Sequence, residues 1–159
     1  MHKKVWFLTL LLLWSSLTSA QTKWPDFMPN LDAGLSTSPV AAVIPAGVTV
    51  VPPTPDVSPD KARWSGKWSG WACRDQVCDT KLVVEKVTAE GATIIYAFAS
   101  ARQKPFNARL EATFVGDELK ATFRSGVSLA YRMRKEGNIE FLWWKSENEW
   151  AAGILSKAN

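Results

Sequence analysis

The stretch Arg63-Trp64-Ser65-Gly66-Lys67-Trp68-Ser69-Gly70-Trp71 decides how this chain is read. As a strand it sends alternate side chains to opposite faces. Trp64, Gly66, Trp68 and Gly70 fall on one face. Ser65, Lys67 and Ser69 fall on the other, with Trp71 ending that row. Two indoles thus turn one way and small polar groups the other. The glycines between the indoles leave room for bulky neighbours or permit a sharp bend.

The same period-two pattern, broken by turn residues, runs on to the carboxyl end. It predicts seven more strands, over residues 80–88, 92–99, 107–115, 119–124, 127–134, 139–145 and 150–156. Glu90-Gly91, Gly116-Asp117, Ser125-Gly126 and Glu136-Gly137-Asn138 read as turns, and residues 100–106 as a longer polar loop. Leu82-Val83-Val84 breaks the alternation, so a bulge or burial on both faces is expected there. No stretch carries a helical period long enough to name. Eight short strands with short connections form an antiparallel meander, and joining first to last protects its edges. The expected fold is all-β: an eight-stranded antiparallel up-and-down barrel over residues 63–159, behind a Pro-rich extended leader. A two-sheet sandwich is the alternative. A barrel of eight strands is filled by its side chains or holds one small ligand.

The chain ahead of the barrel has two parts. His2, Lys3 and Lys4, an apolar run over residues 5–14 and a small, mostly polar stretch ending at Ala20 read as a secretory signal over residues 1–20. The apolar run is about half the ~20 residues needed to span a bilayer as an anchor. A secreted or periplasmic location is therefore expected. Residues 21–62 hold eight of the nine prolines, which forbids internal strands and helices over most of the segment. This leader is expected to be largely irregular and extended, with apolar pieces at Trp24, Phe27, Met28 and residues 40–51. Those pieces lie along the domain or on a partner, or else the leader is a poorly ordered tail.

Export makes Cys73 and Cys78 a disulfide pair rather than a redox dithiol, since the spacing is not Cys-x-x-Cys. Closing so short a loop stabilises by roughly 2 kcal/mol in the entropy picture. The formal charge of +4 falls to +2 without Lys3 and Lys4, seventeen basic residues against fifteen acids. With no concentrated basic run, nucleic acid is not an expected partner.

The only histidine is His2, inside the expected signal. That removes Ser-His-Asp and Cys-His catalysis and histidine-held metal or haem from the mature chain. No phosphate loop or dinucleotide fingerprint is present. Paired carboxylates for glycoside hydrolysis are the remaining enzymatic option, but Asp and Glu fall mostly in turns or on polar faces. No cofactor and no metal are expected.

What remains is aromatic. The candidate ligand-binding residues are Trp64, Trp68, Tyr96, Tyr131 and Trp143 on inward faces, and Trp71 and Trp144 on outward ones, where an exposed indole needs a reason. The inward rings equally serve as plain core. Lys120, Arg124, Arg132 and Arg134 share the outward face of two neighbouring strands, a candidate patch for an anionic partner or a solvated surface with Glu111 and Glu140 nearby.

The opening Trp64-Ser-Gly-Lys-Trp-Ser-Gly70 resembles the first strand of small calycin-like barrels, the lipocalin and avidin group, in which a Gly-x-Trp opening plugs the barrel floor. It is also similar to an uncharacterised bacterial exported domain that opens Trp-x-Gly-x-Trp-x-Gly and continues Leu-Val-Val-Glu, as Leu82 to Glu85 does here. The likeness covers residues 63–156 and implies a barrel fold; the polar biotin-binding set of avidins has no counterpart. A weaker likeness is to small-barrel periplasmic lysozyme inhibitors, through Ser125-Gly126 and Tyr131. The expected function is an exported, non-catalytic module that binds a small apolar, sugar or lipid ligand or an envelope component. The alternative is a protein-binding inhibitor of a secreted or periplasmic hydrolase.

Overall fold

The computed structural model describes residues 22–159; the expected signal, residues 1–20, lies outside the described residues. Eight strands follow one another: β1 (Gly66–Ala72), β2 (Cys78–Val87), β3 (Gly91–Ser100), β4 (Gln103–Val115), β5 (Glu118–Thr122), β6 (Ser128–Met133), β7 (Ile139–Ser146) and β8 (Glu149–Lys157). Each pairs antiparallel with the next, and β1 pairs with β8, so the sheet is a closed up-and-down barrel. The architecture is consistent with a calycin-like fold.

The closing seam depends on two glycines. A Cβ on Gly70 would stand 1.9 Å from the Ile154 carbonyl oxygen, and one on Gly153 would stand 1.8 Å from that of Trp71. Only residues without a side chain let β1 and β8 approach this closely.

The alternation read from the sequence sets the interior. Trp68, Leu82, Ile94, Tyr96, Leu119, Tyr131, Phe141 and Leu155 are among its buried residues. The ladder slips between Val84 and Lys86, just past the run expected to bulge, and Leu82, Val83 and Val84 are all buried.

Two boundaries differ from the sequence reading. Trp64 precedes β1 instead of lying in it, in a turn that follows a short helical segment, Pro59–Ala62. Pro59 occupies the first helical turn, where a missing N–H costs nothing. Residues 103–106, expected as loop, belong to β4. Pro105 is tolerated because the β4–β5 ladder spans only Thr113 to Val115, so upper β4 is paired on its β3 side alone.

The leader is neither tail nor free tether. It runs as an irregular belt around the outside of the barrel. Met28, fully buried, packs with Trp71, Leu142, Ala152 and Ile154 on the outer face. The Trp71 indole N–H donates to the Asp32 carbonyl (3.2 Å) and the Thr37 amide to that of Gln76 (2.9 Å). Ala42 packs on Ala97 and Ala99, its amide donates to the Asp79 carboxylate (2.6 Å), and Lys81 donates to its carbonyl (2.7 Å). The Val51 amide bonds the Glu85 carbonyl, and Val57 then enters the barrel core.

Candidate ligand cavity

The two ends of the barrel are built differently. At the end reached by Val57, the Trp68 indole donates to the Trp64 carbonyl (2.9 Å), and Trp64 meets Phe114 edge-on at 5.9 Å. Lys157 lies 4.7 Å above the Trp68 ring and donates to the Ser65 carbonyl (2.7 Å). Burial in this plug holds its ammonium below the ordinary lysine value. The two indoles therefore form a floor, and Trp64 and Trp68 stand away from the open end.

The other end carries the Cys73–Cys78 disulfide, with Cα atoms 5.7 Å apart. Cys73, Asp75 and Gln76 in its loop all adopt positive φ, a conformation that side-chain-bearing residues seldom hold without a cross-link or packing to enforce it. Beside this loop a cavity of about 320 Å³ opens into the barrel. Tyr96, Phe98, Phe106, Phe141 and Trp143 form its walls; Gln103 and Glu149 supply the polar groups. Tyr96 stacks on Phe141 at 5.6 Å and reaches Phe106 and Phe123 at 6.5 and 6.1 Å. Phe106 and Phe123, 6.1 Å apart, bridge from upper β4 to the β5–β6 turn where the ladder has stopped. Phe106 is 49 % exposed, so an apolar ring already faces solvent at the entrance.

Rings that line a cavity of this size can pack against a flat or ring-shaped molecule and remove its apolar surface from water. Burial pushes the Tyr96 hydroxyl well above the usual phenol range. Burial, and then the neighbouring Tyr96, does the same to Tyr131. Both rings therefore stay neutral. Glu149 pairs with Lys145 (2.8 Å) and is exposed. The buried carboxylates lie elsewhere, in ion pairs: Glu85 with Arg109, Glu118 with Lys120, Glu140 with Arg132 and Arg134. Among the described residues no cluster of three or more His, Cys, Asp or Glu could hold a metal ion.

The structure gathers Tyr96 and Trp143 at the cavity, with Tyr131 against its Phe141 wall at 5.4 Å. It does not bring the other candidates there. Trp71 points outward as expected, but it is buried under the belt and is not an exposed indole. Trp144 is half-buried on the outer wall, beside Lys23 and Thr22 of the belt.

The basic patch is also taken apart. Arg132 and Arg134 both clamp Glu140 (2.5 and 3.0 Å). Arg132 stacks on Trp24 at 4.6 Å, and Arg134 donates to the Met28 and Leu31 carbonyls (2.5 and 2.7 Å). Lys120 pairs with Glu118, which accepts the Trp24 indole N–H. These charges fasten the belt; only Arg124 of the four is exposed. Phe98, Phe106 and Phe141 join the candidate site through the structure alone. Phe98 and Phe141 were readable as inward rings, and Phe106 continues the Phe114, Ala112, Leu110, Ala108 row upward past the expected strand start.

Compared with known proteins, the chain matches no protein-family model, no curated protein and no solved structure.

Proposed function

We propose that this protein is an exported, non-catalytic binding module whose ligand is a small, largely apolar, ring-bearing molecule held at the disulfide end of a lipocalin-like barrel. The observation that carries this reading is the ring-walled cavity at one end of a barrel whose other end is plugged. Its volume sits at the small end of the range for ligand pockets. Export is supported by the Cys73–Cys78 disulfide. Also compatible with it, no helix among the described residues is long and apolar enough to cross a membrane. The neutral apolar probe N-phenyl-1-naphthylamine tests the proposal. Saturable fluorescence enhancement that lipids, glycans or aromatic compounds displace is expected. No binding by the probe or by any of these classes would defeat it.

A second reading, an inhibitor of an envelope hydrolase, has one observation in its favour: among the described residues no strand pairs with upper β4, from Gln103 to Ala112, on its β5 side. Such an edge can accept an extended partner segment. Tyr131, the residue shared with lysozyme inhibitors, is fully buried and cannot make the contact. Lysozyme inhibition assays separate the two readings.

A further inference from the structure

Two hydroxyls inside the barrel have no hydrogen-bond partner among the described residues: Tyr131 Oη and Thr80 Oγ1. Both residues are fully buried. Each sits directly across the ladder from a ring that walls the cavity, Thr80 opposite Phe98 and Tyr131 opposite Phe141. Phe141 is shared, stacking on cavity-lining Tyr96 on one side and packing on Tyr131 on the other. A buried hydroxyl left unpaired costs free energy that native proteins seldom concede without a water or ligand to recover it.

We infer that the cavity's ligand carries a neutral oxygen, an alcohol or a carbonyl, on its leading end, and that Tyr131 and Thr80 hydrogen-bond that oxygen behind the aromatic walls. This rests on the ligand-cavity reading above and adds to it a chemical class. The walls pack against the apolar ring while the hydroxyls select the end that enters first. Phe141 stands between cavity-lining Tyr96 and Tyr131, and Phe98 lies across the ladder from Thr80, so these two rings turn aside as the ligand seats.

A charged leading group is disfavoured. No lysine or arginine lines the cavity, and the cavity's one carboxylate, Glu149, is exposed and paired with Lys145. An ion pushed past the rings would lose its hydration with no counter-charge to replace it. Both phenols keep their protons over the ordinary pH range, so Tyr131 remains a donor as well as an acceptor.

The test is displacement of bound N-phenyl-1-naphthylamine by naphthalene and by 2-naphthol, which differ by one hydroxyl. Wild-type protein is expected to prefer 2-naphthol by about fivefold, the scale of one neutral hydrogen bond. Tyr131→Phe should abolish most of that preference while leaving naphthalene affinity within about twofold, and Thr80→Val should shift it the same way. Because Tyr131→Phe removes an unpaired polar atom, the ligand-free variant should melt at or above the wild-type temperature. Equal affinity of wild type for the two competitors, or a preference that survives in Tyr131→Phe, would overturn the inference and leave the cavity reading standing. So would a ligand-free Tyr131→Phe that melts lower than wild type, because the hydroxyl would then already have a partner. If the naphthylamine and both competitors fail to bind at all, the cavity reading itself fails and this inference falls with it.

Discussion

Met28→Ala is the sharpest probe of the belt. Met28 is fully buried against Trp71, Leu142, Ala152 and Ile154, although it lies in a proline-rich segment with no strand pairing. Truncating a buried methionine in a packed core costs roughly 2–5 kcal/mol, the transfer of the lost methylenes plus the cavity left behind. Here the lower end applies, about 2–3 kcal/mol, because an irregular segment can settle into part of the hole. The cost has a ceiling, however: it cannot exceed the free energy with which the belt is docked, since a looser belt would simply lift away. Urea unfolding followed by tryptophan emission measures it. The midpoint should fall with the slope unchanged, and the thermal midpoint should drop by roughly 5–10 °C. A loss below about 0.5 kcal/mol, together with wild-type protease sensitivity around residues 30–40, would refute the idea that the belt is part of the folded unit.

The remaining expectations concern the seam, the phenols and the latch. Gly153→Val places a branched Cβ where the Trp71 carbonyl already stands, so β1 and β8 should separate and the variant should bind a hydrophobic dye and lose its cooperative thermal transition. Tyr96 and Tyr131 are the only tyrosines, and both are buried with raised pKa values. Phenolate absorbance near 295 nm should stay silent until the chain unfolds. Since the folded values lie above the unfolded one, their linkage leaves stability untouched below about pH 10 and erodes it as pH rises further. A smooth titration near pH 10 in folded protein would contradict this. For Glu118, burial favours the neutral acid, but hydrogen bonds from Thr22, Trp24 and Lys120 outweigh it and hold the carboxyl below its ordinary value. The latch is therefore intact above the unfolded carboxylate value and weakens as pH falls through the folded one. Proteolysis near Trp24 should accelerate below about pH 4, before global unfolding; equal rates at pH 6 and pH 3 would refute it.

Much of this fold was legible because a closed barrel obeys one rule along its whole length. Alternation placed Tyr96, Tyr131 and Phe141 inside without knowledge of any contact. The rule failed where a second layer covers the sheet. Trp71 lies on the outward row, so the sequence read it as exposed; only the path of the leader reveals that Met28 and Asp32 enclose it. The basic face misled for the same reason. Arg132 and Arg134 are outward, but the Trp24 ring covers the first and the Met28 and Leu31 carbonyls claim the second, and such contacts with a distant segment leave no signature in a sequence. Pro59 read as a breaker, whereas in the first turn of a helix it is a starter. The site was half legible. Tyr96, Tyr131 and Trp143 follow from alternation, but which end of the barrel is plugged depends on where residues 57–64 fold back, and that assigned Trp64 and Trp68 to the floor.

The cavity itself can be tested by filling it. Ala151 lines the mouth and is half-buried, so Ala151→Trp should occupy the space between the rings without disturbing the seam. Titrating N-phenyl-1-naphthylamine into this variant, with Trp144→Ala on the outer wall as the companion, separates inside from outside. Binding should fall at least tenfold in Ala151→Trp and stay at the wild-type level in Trp144→Ala. Undiminished binding to a folded Ala151→Trp protein, or its loss in Trp144→Ala alone, would place the ligand outside the barrel.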